Sequence, residues 1–169
     1  MIKSIKYFFI LIGLVMITTS CGFYSFTGAS ISPDVETVNV KYFPNKASLV
    51  QPTLSDVFTD ALRDKFVSQT SLDLVNSQGD LTFEGEITKY FTKPTAIQTD
   101  QSAALNRLTI AVKVKFTNSK EPDKSFEQSF EHFSEYDAAS SLSDVEDGLI
   151  EEIVEVLIDN IFSKAVVNW

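Results

Sequence analysis

The sequence predicts an α+β fold: a two-layer α/β sandwich in which a mixed, mostly antiparallel sheet of four to five strands carries two helices on one face. Three observations lead there. Several segments alternate apolar and polar residues, the period of a half-buried strand, while two others repeat apolar residues at helical spacing. The order reads strand, helix, short strand, three-strand meander, helix. Each strand has one apolar face and each helix one apolar stripe, and two layers bury all of them at once. The long hairpins of the meander imply antiparallel pairing, and the strand–helix–strand opening implies one right-handed crossover.

Residues 1–20 are read as lying outside this fold. Lys3 and Lys6 precede Tyr7–Ile17, an uncharged apolar run too short to cross a bilayer by itself, as in a secretory signal. Thr18-Thr19-Ser20 then leads into Cys21, the one cysteine of the chain. Small residues ahead of a cysteine at the end of an apolar run resemble the lipobox of bacterial lipoproteins, although Thr18 stands where that motif has an apolar residue. The resemblance implies cleavage before Cys21 and a diacylglycerol on its sulfur. It also gives the lone thiol a role in an oxidising compartment. Gly22 follows the cysteine, and by resemblance to lipoprotein sorting this permits export to the outer membrane. No acidic run follows, so the expected address is the periplasmic side. The expected organisation is a signal over 1–20, a lipid-anchored tether over 21–34 and a single domain over 35–169.

Within that domain, Val35–Phe43 alternates, with Val38, Val40 and Tyr42 on one face and Thr37, Asn39 and Lys41 on the other; Pro44-Asn45 ends it. Pro52–Gln69 is helical, with Leu54, Phe58, Ala61, Leu62 and Phe66 as its stripe, Val57 beside them, and Thr53 with Asp56 as an N-cap pair. Leu72–Val75 is a short apolar piece before the turn signal Ser77-Gln78-Gly79-Asp80. In Leu81–Phe91 the odd positions Leu81, Phe83, Gly85 and Ile87 face the core; in Leu105–Thr117 the even positions Leu108 to Phe116 do. Asn118–Lys124 is a loop, and Ser125–Phe133 is the last strand, with Phe126 and Phe130 inward. A final helix opens on Ser143 and Glu146, spaced as a capping box, with Asp144 and Asp147 favoured by the helix N-terminus. Its stripe is Ile150, Ile153, Val154, Leu157, Ile158 and Ile161.

Composition narrows the function. With 14 basic and 23 acidic residues the formal charge is −9, unsuited to nucleic acid, whose phosphates are bound by Lys and Arg. One cysteine excludes an internal disulfide, and one histidine leaves any serine-type triad dependent on His132. No nucleophile elbow or second metal ligand accompanies His132. Glu84 and Glu86 share one flat strand face rather than a cleft, and no Gly-rich phosphate loop is present. The reading is therefore a protein that is not an enzyme and needs no cofactor or metal.

Four segments resemble one family together: Cys21-Gly22-Phe23-Tyr24-Ser25-Phe26-Thr27-Gly28, Tyr42-Phe43-Pro44-Asn45, Leu81-Thr82-Phe83-Glu84-Gly85-Glu86-Ile87, and the terminal Val167-Asn168-Trp169. The chain resembles the LPS-assembly lipoprotein LptE family, the first segment being the most specific. The resemblance implies a small α/β lipoprotein of the outer membrane that plugs the β-barrel protein LptD, with which it places lipopolysaccharide in the outer leaflet. From a different class, a lipid-anchored carrier with an apolar pocket for a lipid or small ligand remains an alternative. A cavity of a few hundred cubic ångströms between sheet and helices would mark the carrier; a solid core would mark the assembly factor.

Matching apolar faces across the first hairpin, with its turn near residues 99 to 100, sets Glu84 opposite Lys115 and Glu86 opposite Lys113. The leftover cations, Lys89, Lys93 and Arg107, then fall at the other end of the hairpin, around the Thr92–Ala104 loop, where Asp100 is the only acid expected. On an acidic chain this end is the attractor for an anionic glycolipid. Lys93 and Arg107, with Lys89 in support, are the candidate contacts to lipopolysaccharide phosphates.

Overall fold

The computed structural model describes residues 31–95 and 104–166. Within them β1 is Thr37–Val40, α1 Leu54–Gln69, β2 Asp73–Leu74, β3 Leu81–Pro94, β4 Leu105–Asn118, β5 Phe126–Asp137 and α2 Leu142–Val166. The strands form one sheet in the order β2-β1-β3-β4-β5. β1 runs parallel to both its neighbours, and β3, β4 and β5 form an antiparallel meander. Both helices cover the same face of the sheet. This is the two-layer α+β architecture the sequence implies.

The layers are joined by a line of phenylalanine rings. Phe66 of α1 lies 4.8 Å from Phe83 of β3 and 5.1 Å from Phe162 of α2, centroid to centroid. Phe83 continues to Phe116 of β4 at 4.8 Å, and Phe116 to Phe126 of β5 at 5.2 Å. One run of rings thus touches both helices and the whole meander, at separations where tilted aromatic pairs attract beyond their buried area. Around it Leu54, Phe58, Leu62, Leu108, Ile110, Ile153, Leu157 and Ile161 are buried completely. Gly85 is required by the same packing. A Cβ there would sit 2.0 Å from the Lys113 carbonyl oxygen and 2.7 Å from the ring of Phe43, which crosses over it.

Several local expectations need correction. The first strand stops at Val40, so Tyr42 is exposed rather than inward. Asn39, expected to face water, is buried because β1 is flanked on both sides, and its amide donates to the Val75 carbonyl at 2.7 Å. Thr53 makes no side-chain cap; its N–H and hydroxyl both donate to the Gln51 side-chain carbonyl instead. α2 begins at Leu142, which places Ser143 inside the first turn and dissolves the capping box. Glu146 instead accepts the Tyr90 hydroxyl. Burial first, and then that carboxylate, push the Tyr90 pKa upward, so the phenol stays a donor and pins α2 to β3. β5 runs four residues beyond the expected Phe133, to Asp137.

Asp80, read from sequence only as part of a turn, is a clasp. One of its carboxylate oxygens accepts the Glu36 and Thr37 N–H groups at 3.0 and 3.1 Å and the Thr37 hydroxyl at 2.9 Å. The other faces the Lys120 ammonium at 3.2 Å. Its own N–H donates to the Thr37 hydroxyl oxygen at 2.9 Å. The start of β1, the start of β3 and the β4–β5 loop are thereby tied together. These donors, led by the Glu36 N–H, hold the carboxyl at about 2 against an ordinary 3.8.

Two outcomes follow. Truncating Phe66 to Ala should cost about 3–5 kcal/mol, and Ile153→Ala or Leu157→Ala about 2–5 kcal/mol each, in urea unfolding. Losses below about 1 kcal/mol at all three would mean that the helices do not cover the sheet. A carboxyl lowered in the folded state stabilises fully above its unfolded value and ceases to do so as pH falls through its folded value. The melting-temperature gap between the natural protein and Asp80→Asn should therefore be constant above about pH 5 and close between about pH 4 and 2. A gap independent of pH across that range would show that Asp80 is not the clasp.

Candidate functional site: the open face of the sheet

The face of the sheet away from the helices is organised in cross-strand rows. β3 and β4 pair Glu84 with Lys115 and Glu86 with Lys113, the expected register. The register then shifts between Ile87 and Lys89, where Thr88 is the extra residue of a β-bulge. This changes the parity of β3. Below the bulge odd positions face the helices; above it Tyr90 does, and Lys89, Phe91 and Lys93 emerge on the open face. Without the bulge, both lysines would point into the apolar layer. It also makes Lys93 and Arg107 direct cross-strand partners, followed by Glu135 on β5. The next row is Phe91, Thr109, Phe133, and the next Lys89, Ala111, Glu131.

Charges in these rows are closely matched. Glu84 accepts Lys41 and Lys115 at 2.7 Å each, and these two ammonium groups, Lys115 first, hold it at about 2. A carboxylate held ionised by two lysines is no general acid. Lys113 pairs with Glu127 of β5, which raises the lysine's pKa and lowers that of the acid, rather than with Glu86 directly across from it. Lys89 pairs with Glu131 at 2.7 Å. Arg107 donates from Nε and Nη2 to Glu135 at 3.1 and 2.6 Å and lies 3.8 Å above the Phe133 ring. The guanidinium is thus fixed by a carboxylate and an aromatic face together. Phe91 and Phe133 are each about two-fifths exposed, at 37% and 42%, and shield Thr109 between them, which is buried.

The structure therefore brings Lys93 and Arg107 side by side, with Lys89 two rows away. It does not make this end uniformly basic. Asp100 lies outside the described residues, and Glu131 and Glu135 supply acids that the sequence reading did not place here. A last strand ending at Phe133 excludes Glu135, whereas β5 continues through it to Asp137. The signal for the bulge was present in Tyr90, the first apolar residue after Ile87 to break the odd spacing. Among the described residues Lys93 has no ion-pair partner, and the Nη1 group of Arg107 has no protein acceptor.

Other candidates do not form a reacting site. His132 faces the helix layer mid-strand, its ring 5.7 Å from that of Phe133, and it joins no hydrogen bond or ion pair among the described residues. No group of three or more potential metal ligands occurs among the described residues, nor any helix long and apolar enough to cross a membrane. The space between sheet and helices is filled by side chains. A void at its edge, beside Val35, Leu81, Asn118 and Ala165, holds about 10 Å³, room for no more than a water molecule. Cys21 and the 1–20 segment, most of the tether, and Val167–Trp169 lie outside the described residues.

A comparison with curated proteins found no match. Among solved structures, the chain is similar to the hypothetical protein CT253 from Chlamydia trachomatis, at 9% identity and a TM-score of 0.53, over 78% of this chain and 98% of that one. It is also similar to a minor lipoprotein from Acinetobacter baumannii, at 12% identity and a TM-score of 0.45, over 74% and 96% of the two chains. Rare lipoprotein B from Shewanella oneidensis shares 13% identity at a TM-score of 0.45, over 75% and 92%. At these identities a likeness concerns the fold alone. The family model for LptE, lipopolysaccharide-assembly, matches residues 35–165. The chain belongs to that family.

Proposed function

We propose that this member of the LptE family is an outer-membrane lipoprotein that acts in lipopolysaccharide transport as the plug partner of an LptD-like β-barrel. In this reading Cys21 carries the lipid anchor, the protein stands on the periplasmic side, and it catalyses no reaction. The match of the family model over residues 35–165 carries the reading. The filled space between sheet and helices speaks for it over a carrier that encloses an apolar ligand between its layers.

The glycolipid contact is proposed at Lys93 and Arg107, with Lys89 in support. Arg107 is held rigid by Glu135 and Phe133, so its Nη1 donors are oriented before a phosphate arrives. Lys93, its cross-strand neighbour, adds a point charge. Exposed Phe91 and Phe133, in the adjoining row, offer apolar surface to acyl chains.

The test has two arms. Purified protein should bind lipopolysaccharide more tightly at low than at moderate salt. Lys93→Glu with Arg107→Gln should weaken binding about tenfold or more, given about 1.5–3 kcal/mol for each charged hydrogen bond lost. Lys113→Glu, on the same face below the bulge, should matter much less. Equal binding by all variants would remove the hairpin end from the mechanism. Separately, a tagged protein should co-purify with a large outer-membrane barrel in mild detergent, and its absence would end the plug reading. Labelled fatty acid should enter the natural chain and not Cys21→Ala; label that persists would exclude Cys21 as the anchor.

A further inference from the structure

The two faces of the protein treat charge differently. On the open face of the sheet Glu84, Glu127, Glu131 and Glu135 each meet a Lys or Arg. The helices do not balance in this way. α1 carries three carboxylates and two cations, and α2 carries seven carboxylates and one lysine. Between the helices runs an open groove of about 740 Å³. Its base is apolar, Ala61 from α1 beside Ile150, Val154 and Ile158 from α2, the last three almost fully buried, with Val57 of α1 at the mouth. Its walls are acidic: Asp60 and Asp64 on one side, Asp147, Glu151, Glu155 and Asp159 on the other. Asp60 is met by Arg63, and Asp159 by Lys65, the one cation lining the groove. Asp64, Asp147, Glu151 and Glu155 have no hydrogen-bond or ion-pair partner among the described residues.

The shape is that of a seat for a third helix. Along α1 the lining positions Val57, Ala61, Lys65 and Ser68 recur at three- and four-residue spacing, and along α2 Asp147, Ile150, Val154 and Ile158 do the same. Lys65 bonds Asp159 and Phe66 packs on Phe162, which fixes the two stripes side by side. From Thr53 to Ser68 the groove follows about 22 Å of helix, some four turns. Ala61, at its middle, lets another backbone approach closely. Val57, 39% exposed at the mouth, is apolar surface left without cover.

We propose that the groove between α1 and α2 is the docking site for an amphipathic helix of another protein, apolar along one stripe and carrying Lys or Arg along both borders of that stripe. Its apolar stripe would lie on Ala61 and Val154, and its cations would meet the unpaired carboxylates of the two walls. This chemistry selects against an acidic or neutral helix, which would leave those charges uncompensated. The site lies on the opposite side of the sheet from Lys93 and Arg107, so it stands or falls independently of the glycolipid contact.

The probe is a fluorescent peptide of about 14 residues, built of Leu and Lys at helical spacing. Its control is a scrambled isomer of equal charge whose leucines fall all round the helix. The protein is purified into nanodiscs of zwitterionic lipid, with empty nanodiscs as the blank. The ordered peptide should bind at least about tenfold more tightly than its isomer, and less tightly as salt rises. Glu151→Lys with Glu155→Lys should weaken it about tenfold or more. Ala61→Gln, which fills the groove without changing charge, should do so too. If that variant melts early, Val57→Gln at the exposed mouth takes its place. Asp123→Lys with Glu127→Lys, an equal change of charge elsewhere, should leave binding nearly unchanged. Equal affinity for the isomer, or equal loss in that control, would reduce the effect to net charge and overturn the proposal. So would a self-dimer that Ala61→Gln dissolves, which would make a second copy of this chain the occupant.

Discussion

Phe66 is the contact on which the two layers depend. Among the described residues it is the ring that meets both the sheet, through Phe83, and the second helix, through Phe162. A sheet with one apolar face needs a cover, and neither helix is broad enough to supply it alone. α1 lies over β1 and β2, and α2 over β5 and β4. The seam between the helices falls over the middle of the sheet, where water would otherwise enter. Phe66 and Phe162 close that seam from the inside, and the groove is what remains of it on the outside. The same geometry that completes the core therefore leaves an open groove on the surface.

The bulge at Thr88 does the equivalent for the other face. A strand with strict alternation would carry Lys89 and Lys93 into the apolar layer, at a cost far above that of one lost ladder position. Inserting a residue moves both lysines outward and delivers Tyr90 inward, where its hydroxyl reaches Glu146 at the start of α2. One local irregularity thus sets the position of the basic residues, pairs Lys93 with Arg107, and anchors a helix. The cost is modest because the bulge lies between two long regular stretches of ladder, Leu81 to Ile87 and Lys89 to Pro94.

Much of this was legible in the sequence, for identifiable reasons. The core faces of β3 and β4 follow from strict alternation, and the Glu84–Lys115 pairing follows from matching those faces across one hairpin. The stripe of α2 follows from aliphatic residues at helical spacing. What escaped depends on contacts between segments distant in the chain. Asp80 reads as a turn residue until Glu36 and Thr37, more than forty positions earlier, are seen to point their N–H groups at it. Glu146 reads as half of a capping box until Tyr90 competes for it, and a tertiary partner in a half-buried site outweighs a local one exposed to water. Arg107 reads as a free cation because the pattern of β5 fades after Phe133, although the ladder continues to Asp137 and delivers Glu135 beneath it.

The sign of the whole chain, −9, conceals two opposite arrangements. On the sheet, cations and carboxylates alternate across strands, because residues directly opposite in a ladder are close enough for like charges to repel and unlike charges to attract. The lysines of β4 are answered by the glutamates of β3 and β5. A helix imposes a different spacing. Glu151, Glu155 and Asp159 succeed one another at intervals of four on α2, where like charges disfavour the helix by a few tenths of a kcal/mol per pair. Only Asp159 is relieved, by Lys65 of α1. Local stability would favour a lysine at one of these positions, and none is present on that stripe. The acidic wall is thus an unfavourable element within the isolated protein, borne by a helix whose apolar stripe is wide enough to hold it in place. A partner bearing positive charge would convert that repulsion into attraction. Less is open on the sheet, where most carboxylates already meet a lysine or arginine. Of the two faces, the helical one therefore carries the uncompensated negative charge, and the sheet face holds a few charged groups in fixed orientations.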